Sequence, residues 1–509
     1  MDFTEKPKIA LVTFTDDRDE GLTSSAIDKY MISKQKELKE FLESNDIKVI
    51  EPLEIMQSSD RPWYGLRTNQ DIRIANDIIQ SNNIDGAIIG SWNWAPPMLV
   101  IEFVRKINKP VLFFTENNPV YGGLVGLLAS TSSLIEWGIN KHAIHHERIL
   151  SDKDRIIPWV KAVSAVSKLR ESAALLWGGT YSLKMEHLQD DIPKLKTFFI
   201  RDILTEDQYV LVNKADYILN NQKNRVKNFL EWLTNNNAKI TYDKKMCTMQ
   251  ALEKQTALLL AARDRLEELE SENIGGISIK CQPEIYSIYG VNACTLPAFL
   301  PFPKNENGQQ KVYSTVCEGD IKGLLTSMLL FAINPRVPPV FGDLLAVDDD
   351  HVEFANCGAS SIFWSSNSLE ESEAIRNLEI KGNCHGNSGA AFGYYGKATD
   401  KITVARLMRV KGKHYLQAGE GFAYDSRKFL ADKLGGDLEN HLGATWSKIT
   451  VNLGVKSDNF IKVFGANHLS ATLGHNYEAL KFACRELGIS ITRIDNDQEM
   501  LEFYDSIRG

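Results

Sequence analysis

Residues 8–15, with the sequence KIALVTFT, decide the interpretation of the first part of the chain. They form a compact run of β-branched and aromatic residues, which is typical of a strand buried inside a parallel sheet. Similar runs predict further strands at 46–52, 85–91 and 110–115. Helices are predicted between them at 24–44, 69–81 and 98–107. Strands that alternate with helices in this way predict a doubly wound parallel sheet.

A second pattern of strands and helices begins near residue 156. Three apolar runs typical of strands lie at 173–177 (AALLW), 197–201 (TFFIR) and 277–281 (ISIKC). Three further helices are predicted at 157–170, 224–236 and 249–272. We expect Gly275–Gly276 to end the last of these helices, because glycine commonly follows a helix. This alternation predicts a second parallel sheet.

The composition changes after about residue 345, where Gly, Ser and Asn become frequent and short β-type runs such as Ile402–Val410 appear. This change predicts a mostly β region at the end of the chain. The predicted fold class is therefore α/β, with two doubly wound parallel-sheet domains followed by a mostly β domain. The boundaries that we expect are 1–155 for the N-terminal domain, 156–345 for the central domain and 346–509 for the C-terminal domain.

The charge balance and the apolar runs exclude several classes of protein. Lys and Arg number 58 against 66 for Asp and Glu, so the sequence offers no basic footprint for nucleic acid. No apolar run approaches the roughly 18–20 residues of a membrane span, and the first residues lack the basic and apolar regions of a signal peptide. Seven cysteines without a CxxC pair indicate reduced thiols rather than a disulfide framework. We therefore expect a cytoplasmic protein without nucleic-acid or membrane partners.

Three residues form a candidate metal site: Glu318 in CEGD, Asp343 in VFGDLL and His468 in GANH. Each has an ordinary structural explanation, since an acid beside a helix can cap it, a turn can carry an aspartate and a lone histidine can be structural. Together, two carboxylates and one imidazole form an oxygen and nitrogen ligand set that suits Mn²⁺ or a similar divalent ion. The three residues are far apart in the chain, and their spacing does not show that they meet.

The segments around these residues resemble the L-fucose isomerase family, a group of metal-dependent aldose–ketose isomerases related in fold to L-arabinose isomerase. The most specific match is Phe464–His475 (FGANHLSATLGH), which resembles the family's Trp-Gly-Ala-Asn-His segment. Thr315–Gly323 and Val340–Leu345 resemble the segments that carry the metal-binding glutamate and aspartate. Ala355–Ser360 resembles an Asn-Ser-Gly-Ser loop of the family, with Cys357 in place of a serine.

The resemblance implies a role for each matching residue. Glu318, Asp343 and His468 would hold one Mn²⁺, with Co²⁺ and Mg²⁺ as other candidate ions, and the two carboxylates would also transfer protons through a cis-enediol. Substrate contacts are implied for six residues: Arg18, Trp94, Gln282, Cys357, Trp446 and Asn467. Arg18 and Trp94 resemble N-terminal residues that reach the site of a neighbouring subunit in this family. The resemblance therefore also implies a homo-oligomer, often a hexamer.

The resemblance leaves the sugar substrate open. The family's Gly-Gly-x-Ser-Met segment is changed to GGTYSLKMEH at 178–187, and Cys357 also departs from the family pattern. An L-fucose-like or D-arabinose-like aldose fits the resemblance, and so does a hexose modified at C6, such as sulfoquinovose. Lys184 and His385 are candidates for binding a C6 sulfonate, because a sulfonate needs cationic or hydrogen-bond-donating groups.

Two other functions would use some of the same residues. A sugar-binding or regulatory protein on the same scaffold would keep Trp94, Gln282 and Asn467 for sugar contacts but would not need the pair of acids. A metallohydrolase could use the same metal ligands, but it would also need a group that activates water. Because both carboxylates and the Asn-His pair occur in the order of the family, the isomerase is the favoured interpretation.

Overall fold

The computed structural model describes residues 3–16, 18, 25–56, 63–385 and 388–508. These residues form two compact units. One unit comprises Glu5–Ser167, and the other comprises the chain from Lys168 onward together with Phe3 and Thr4. The predicted fold class is confirmed, because two parallel sheets flanked by helices are followed by a mostly β region that contains a barrel. The division into three domains at 155 and 345 stays a prediction.

The first unit is built around a sheet of five parallel strands. Their order across the sheet is Lys48–Ile50, Lys8–Thr13, Gly86–Gly90, Val111–Thr115 and Glu147–Leu150. The helices of this unit are Ser25–Ser44, Pro52–Met56, Asn69–Ser81, Pro97–Ile107, Gly123–Trp137, Lys141–Ile144 and Lys153–Arg155, followed by Ile156–Glu171, which extends past the unit's last residue, Ser167. The third of these helices begins where Thr68 and Asp71 exchange capping hydrogen bonds, and it coincides with the predicted helix at 69–81. The strand order is that of a doubly wound sheet, as predicted.

The second unit contains a sheet of four parallel strands. Their order is Ser314–Cys317, Ile274–Ile279, Ala173–Trp177 and Asp202–Glu206. The long helices of this part of the chain are Tyr209–Asn221, Lys223–Asn235, Met249–Glu268 and Ile321–Ile333. Shorter helices lie at Ser182–Lys184, Glu186–Leu188, Ile192–Phe198, Glu270–Glu272, Cys281–Tyr289 and Thr295–Phe299, and a small hairpin joins Lys304–Asn305 to Gly308–Gln309. Every residue of Ile321–Ile333 is buried, as expected for a helix that is apolar on all sides.

Two details of the predicted secondary structure are wrong. The run TFFIR at 197–201 is not a strand, because Asp191 caps a helix over Ile192–Phe198 and the next strand begins only at Asp202. Gly275–Gly276 does not end a helix but lies inside the strand Ile274–Ile279. A Cβ atom on Gly276 would lie 2.9 Å from side-chain atoms of Leu324 and Met328, so glycine allows the buried helix to pack directly against this strand.

The third sheet has ten strands, nine of them from residues 340–493 and one from the middle of the chain, and part of it closes on itself. In order they are Ser490–Arg493, Lys413–Ala423, Thr399–Val410, His468–Leu473, Val340–Asp348, His351–Asn356, Ser447–Asn452, Ala390–Tyr395, Glu379–Gly382 and Lys239–Ile240. The second and seventh of these strands also pair with each other, through Phe422 with Asn452 and Ala423 with Val451. The six strands from the second to the seventh therefore form a closed antiparallel barrel, which removes their free edges.

Helices and a tight turn complete the barrel region. The helices are Ile362–Ser365, Glu371–Arg376, Ser426–Lys433, Ser457–Val463, Tyr477–Leu487 and Asp497–Arg508. The two longest strands are joined by Lys411 and Gly412, which both have positive φ, at 49° and 78°, as a two-residue hairpin turn requires. Among the helices of the described residues, none is both long and apolar enough to cross a membrane. All seven cysteines are free thiols.

Candidate metal centre

Glu318 lies at the carboxyl end of a parallel strand, where such sheets commonly hold ligands. It follows Ser314–Cys317 directly, and both Glu318 and Gly319 have positive φ, at 64° and 67°. A non-glycine residue in this conformation is strained by about 1–3 kcal/mol, and such residues cluster at functional sites. The helix that follows is capped by Asp320, whose carboxylate accepts a hydrogen bond from the Gly323 amide at 2.9 Å. The ordinary capping role therefore belongs to Asp320, and the buried carboxylate of Glu318 is not used for it.

Asp343 and His468 are brought together by the register of the barrel. They lie directly opposite each other on the antiparallel strands Val340–Asp348 and His468–Leu473. Side chains at such opposed positions are close neighbours. The imidazole of His468 is fully buried, whereas the Asp343 side chain keeps 23% of its surface exposed. The site is therefore open on the side of Asp343.

The three predicted metal ligands meet in space. The Nε2 atom of His468 lies 3.3 Å from Oε2 of Glu318 and 3.2 Å from Oδ1 of Asp343. One ligating atom from each residue lies within 4.8 Å of the other two. Nε2 of His468 is buried and makes no hydrogen bond with any residue that the structure describes. A buried imidazole nitrogen that faces two carboxylates in this way fits a divalent cation with oxygen and nitrogen ligands.

A buried ion pair lies behind His468. Nδ1 of His468 lies 2.8 Å from Oδ2 of Asp320, and the guanidinium of Arg406 donates to both Asp320 oxygens at 2.5 and 3.1 Å. All three side chains are at most 1% exposed. When Nδ1–H donates to Asp320, the lone pair of Nε2 is directed toward Glu318 and Asp343. Metal-binding histidines are commonly oriented by a carboxylate in this manner.

The electrostatics of the site favour bound positive charge. Burial acts to raise the pKa of Asp320, but the Arg406 guanidinium and the neighbouring imidazole hold it well below its usual range. Burial acts to lower the pKa of His468, but the surrounding carboxylates raise it well above its ordinary value. A field that holds a proton on a fully buried imidazole would also attract a cation in place of that proton.

Of the predicted substrate residues, three contact this centre or its immediate neighbours. The side-chain amide of Asn467 donates to Oδ1 of Asp343 at 2.7 Å. The Cys357 thiol lies 3.9 Å from Oε1 of Glu318. Trp446 packs in a small apolar cluster that Cys357 flanks, and the ring of His385 lies 5.1 Å from its ring.

The remaining predicted substrate residues are Gln282, Arg18 and Trp94. Gln282 follows the strand Ile274–Ile279, and its backbone carbonyl accepts a hydrogen bond from the Ser182 hydroxyl at 3.0 Å. Arg18 and Trp94 belong to the other compact unit. The Arg18 guanidinium pairs there with the buried carboxylate of Asp16, at 2.8 and 3.0 Å. Their predicted roles at a neighbouring subunit's site stay predictions.

A segment that was not predicted from the sequence also contacts the centre. His187 Nε2 lies 2.7 Å from Oδ1 of Asn467, so an imidazole N–H, an amide and the carboxylate of Asp343 form one chain of hydrogen bonds. Three non-glycine residues just before it, Tyr181, Leu183 and Lys184, have positive φ. Lys184 itself is exposed. The altered stretch GGTYSLKMEH was visible in the sequence, but nothing in it indicated which side chain would face Asn467.

A buried cluster of charges fixes the end of this segment. The carboxylate of Asp190 is bound by His414 Nε2 at 3.0 Å and by the Arg409 guanidinium at 2.9 Å. The ammonium group of Lys322 lies 3.6 Å from the same carboxylate and donates to the backbone carbonyl of Gln189. The segment that carries His187 is therefore tied to the buried helix Ile321–Ile333 and to the barrel.

The comparisons with known proteins match parts of the chain to curated proteins that share one name. No protein-family model matches the chain. A curated protein named sulfoquinovose isomerase, from Priestia megaterium, is 24% identical over 163 residues, which make up 31% of this chain and 32% of the relative. Proteins of the same name from Alkalicoccus urumqiensis and a Clostridium species are 26% identical over 97 residues and 27% identical over 95 residues. These two matches cover 19% and 18% of this chain. The chain spans about a fifth to a third of the length of the relatives it matches.

Proposed function

We propose that the protein is a metal-dependent aldose–ketose isomerase acting on a sugar, with Glu318, Asp343 and His468 as the ligands of one divalent cation. The observation that carries this proposal is the buried Nε2 atom of His468, which faces two carboxylates and has no hydrogen-bond partner among the described residues. Mn²⁺ suits this ligand set, and Co²⁺ and Mg²⁺ are the alternatives. The relatives named sulfoquinovose isomerase support the reaction class.

The name of these relatives favours sulfoquinovose, a hexose with a C6 sulfonate, as the first sugar to test. An L-fucose-like or D-arabinose-like aldose is the alternative, since the segments around the ligands resemble the L-fucose isomerase family. A homo-oligomer, such as a hexamer, belongs to the same proposal and is to be measured by sedimentation of the purified protein. In that assembly Arg18 and Trp94 would contribute to the site of a neighbouring subunit.

The reaction removes a proton from C2 of the aldose and returns one to C1 through a cis-enediol. When bound, a divalent cation supplies Lewis-acid stabilisation of the negative charge that develops on the sugar oxygens. We assign both proton transfers to the carboxylates of Glu318 and Asp343, which can act as base and acid. Asn467 holds Asp343 through one oxygen, and Asp320 keeps the imidazole of His468 in one orientation. Asp343 lies on a strand of the barrel and Glu318 follows a strand of the parallel sheet, so both carboxylates are fixed by regular elements, which favours catalysis by positioning.

The direct test is NMR of the purified protein with Mn²⁺ in D₂O, with sulfoquinovose, L-fucose, D-arabinose and D-glucose offered in turn. We expect ketose formation with deuterium entering at C1 or C2 for at least one sugar, and loss of this exchange with EDTA. Glu318→Gln should abolish turnover with the fold intact, whereas the matched control Glu231→Gln, on an exposed helix surface, should not change it. An active Glu318→Gln variant would contradict the assignment. Sugar binding that survives EDTA without turnover would favour a binding protein instead.

A further inference from the structure

A second set of ligating atoms lies beside Glu318. The Sγ atoms of Cys317 and Cys357 and a carboxylate oxygen of Glu318 all lie within 4.8 Å of one another. The Cys357 thiol is 3.9 Å from Oε1, whereas His468 is 3.3 Å from Oε2. The two oxygens of one carboxylate therefore face two different sets of ligands, one with nitrogen and oxygen and one with sulfur.

One side chain, that of Asn356, binds both cysteines, Cys317 through its thiol and Cys357 through its backbone amide. The Oδ1 atom of Asn356 accepts a hydrogen bond from the Cys317 thiol at 2.9 Å and from the backbone amide of Cys357 at 2.9 Å. Cys317 ends a strand of the parallel sheet, and Asn356 ends a strand of the barrel. The two thiols therefore lie at the ends of two different rigid elements. Cys317 is buried, but Cys357 is only half-buried, so the pair can be reached from solvent.

We propose that Cys317, Cys357 and Glu318 form a second metal site, which takes a thiophilic divalent cation such as Zn²⁺ or Cd²⁺. Thiolates select such ions, whereas carboxylate and imidazole ligands suit Mn²⁺. Binding displaces two thiol protons to solvent and forms two metal–sulfur bonds, with no change of oxidation state. Zn²⁺ binds sulfur at about 2.3 Å and carboxylate oxygen at about 2.0–2.2 Å, which places the two atoms roughly 3.5 Å apart in a tetrahedral site. The observed 3.9 Å needs only a small movement of the Cys357 side chain.

The second site would interfere with the first, and this consequence rests on the proposed function. Glu318 belongs to both ligand sets. An ion bound to the thiols would therefore pull the Glu318 carboxylate away from the isomerase centre and would place positive charge next to it. We expect Zn²⁺ or Cd²⁺ to lower turnover at saturating Mn²⁺ by more than tenfold. In Cys357→Ala, the ion concentration that gives half-maximal inhibition should be at least tenfold higher than in the wild type.

The binding itself is tested by Co²⁺ absorption, which does not depend on activity. A thiolate bound to Co²⁺ gives an intense charge-transfer band in the near ultraviolet, and ligation by oxygen and nitrogen alone does not. Metal-free full-length protein titrated with Co²⁺ should develop this band, and the band should be lost in Cys357→Ala and in Cys317→Ala. It should persist in the control Cys484→Ala, a buried cysteine in the helix Tyr477–Leu487.

A third variant separates this inference from the proposed function. His468→Gln removes a ligand of the first centre only, so the charge-transfer band should remain even though turnover is lost. A wild-type protein that binds Co²⁺ without this band, or a band that is as strong in Cys357→Ala as in the wild type, would overturn the second site. Loss of the band in His468→Gln would instead show that sulfur ligates the first centre and would also overturn a separate site.

Discussion

The carboxylate of Asp320 has two roles: it caps the buried helix Ile321–Ile333, and it pairs with Arg406 behind His468. The substitution Asp320→Asn separates these two roles. The asparagine can still cap the helix, because Asn and Asp are about equally good at that position. It cannot neutralise Arg406, which is 1% exposed and has both of its terminal nitrogens on Asp320. The variant therefore keeps the cap and removes the negative charge behind His468.

The magnitude follows from the burial of the pair. Leaving one member of a buried ion pair without its partner costs about 3–5 kcal/mol, so we expect the free energy of unfolding to fall by this amount. Loss of a carboxylate that orients a metal-binding histidine weakens metal binding by about 10- to 100-fold. That range corresponds to about 1.4–2.8 kcal/mol in binding free energy.

The two effects are measured by urea unfolding of the metal-free protein and by calorimetric titration with Mn²⁺. The matched control is Asp425→Asn, because Asp425 also caps a helix, Ser426–Lys433, but its side chain is 41% exposed. A surface substitution of this kind should change stability by less than about 0.5 kcal/mol. Wild-type affinity for Mn²⁺ in a folded Asp320→Asn protein would refute the role of Asp320 at the metal centre.

A double variant shows whether the metal effect is only a consequence of lower stability. Asp320→Asn combined with Arg406→Met removes both charges, and replacing a whole buried pair with apolar groups is often neutral. We therefore expect the double variant to regain most of the free energy of unfolding that Asp320→Asn loses. The affinity for Mn²⁺ should stay low, since His468 still lacks its carboxylate. Full recovery of Mn²⁺ affinity in the double variant would mean that the ion pair only supports the fold.

Three further predictions concern neighbouring elements. Burial lowers the pKa of Lys322 from 10.5 to about 8. Below pH 8 the buried side chain is charged, and this charge destabilises the folded state. Unfolding free energy should then rise by up to about 3 kcal/mol between pH 8 and 10.5 in the wild type relative to Lys322→Met, as measured by urea unfolding at each pH. Gly276→Ala should destabilise the fold by about 1–3 kcal/mol in the same assay, because the new methyl group meets Leu324 and a backbone carbonyl at 2.9 Å. His187→Phe removes the hydrogen bond to Asn467 and should lower kcat/KM by about 3- to 10-fold and the free energy of unfolding by about 0.5–1.5 kcal/mol, while His187→Gln, which can still donate, should lose less of both.

The regular elements could be predicted from the sequence where local signals agreed. The helix Asn69–Ser81 has a capping box and a clear apolar stripe, and its predicted bounds are correct. The strand predicted at 197–201 is wrong, because the prediction relied on the apolar residues of that run. The capping residue Asp191 and Pro193 in the first turn instead start a helix just before it. Local composition alone could not separate these two signals.

The three metal ligands were identified from residue type and from the resemblance, but their meeting depends on distant pairing. Asp343 faces His468 only because the barrel sets the register between their strands, although the two residues are 125 positions apart in the chain. The ion pair of Asp320 with Arg406 spans 86 residues, and no local pattern links them. His187 was missed for the same reason, since its partner Asn467 lies 280 residues away.

The central claim is that turnover depends on one cation held by Glu318, Asp343 and His468. The most direct measurement is a titration of metal-free protein with Mn²⁺ in D₂O, with sugar isomerisation followed by NMR at each addition. We predict no turnover without metal, a rise in proportion to added Mn²⁺ up to one ion per chain, and a plateau beyond it. Deuterium exchange that proceeds at full rate in the metal-free protein, or that rises with Mn²⁺ equally in His468→Gln, would contradict the claim.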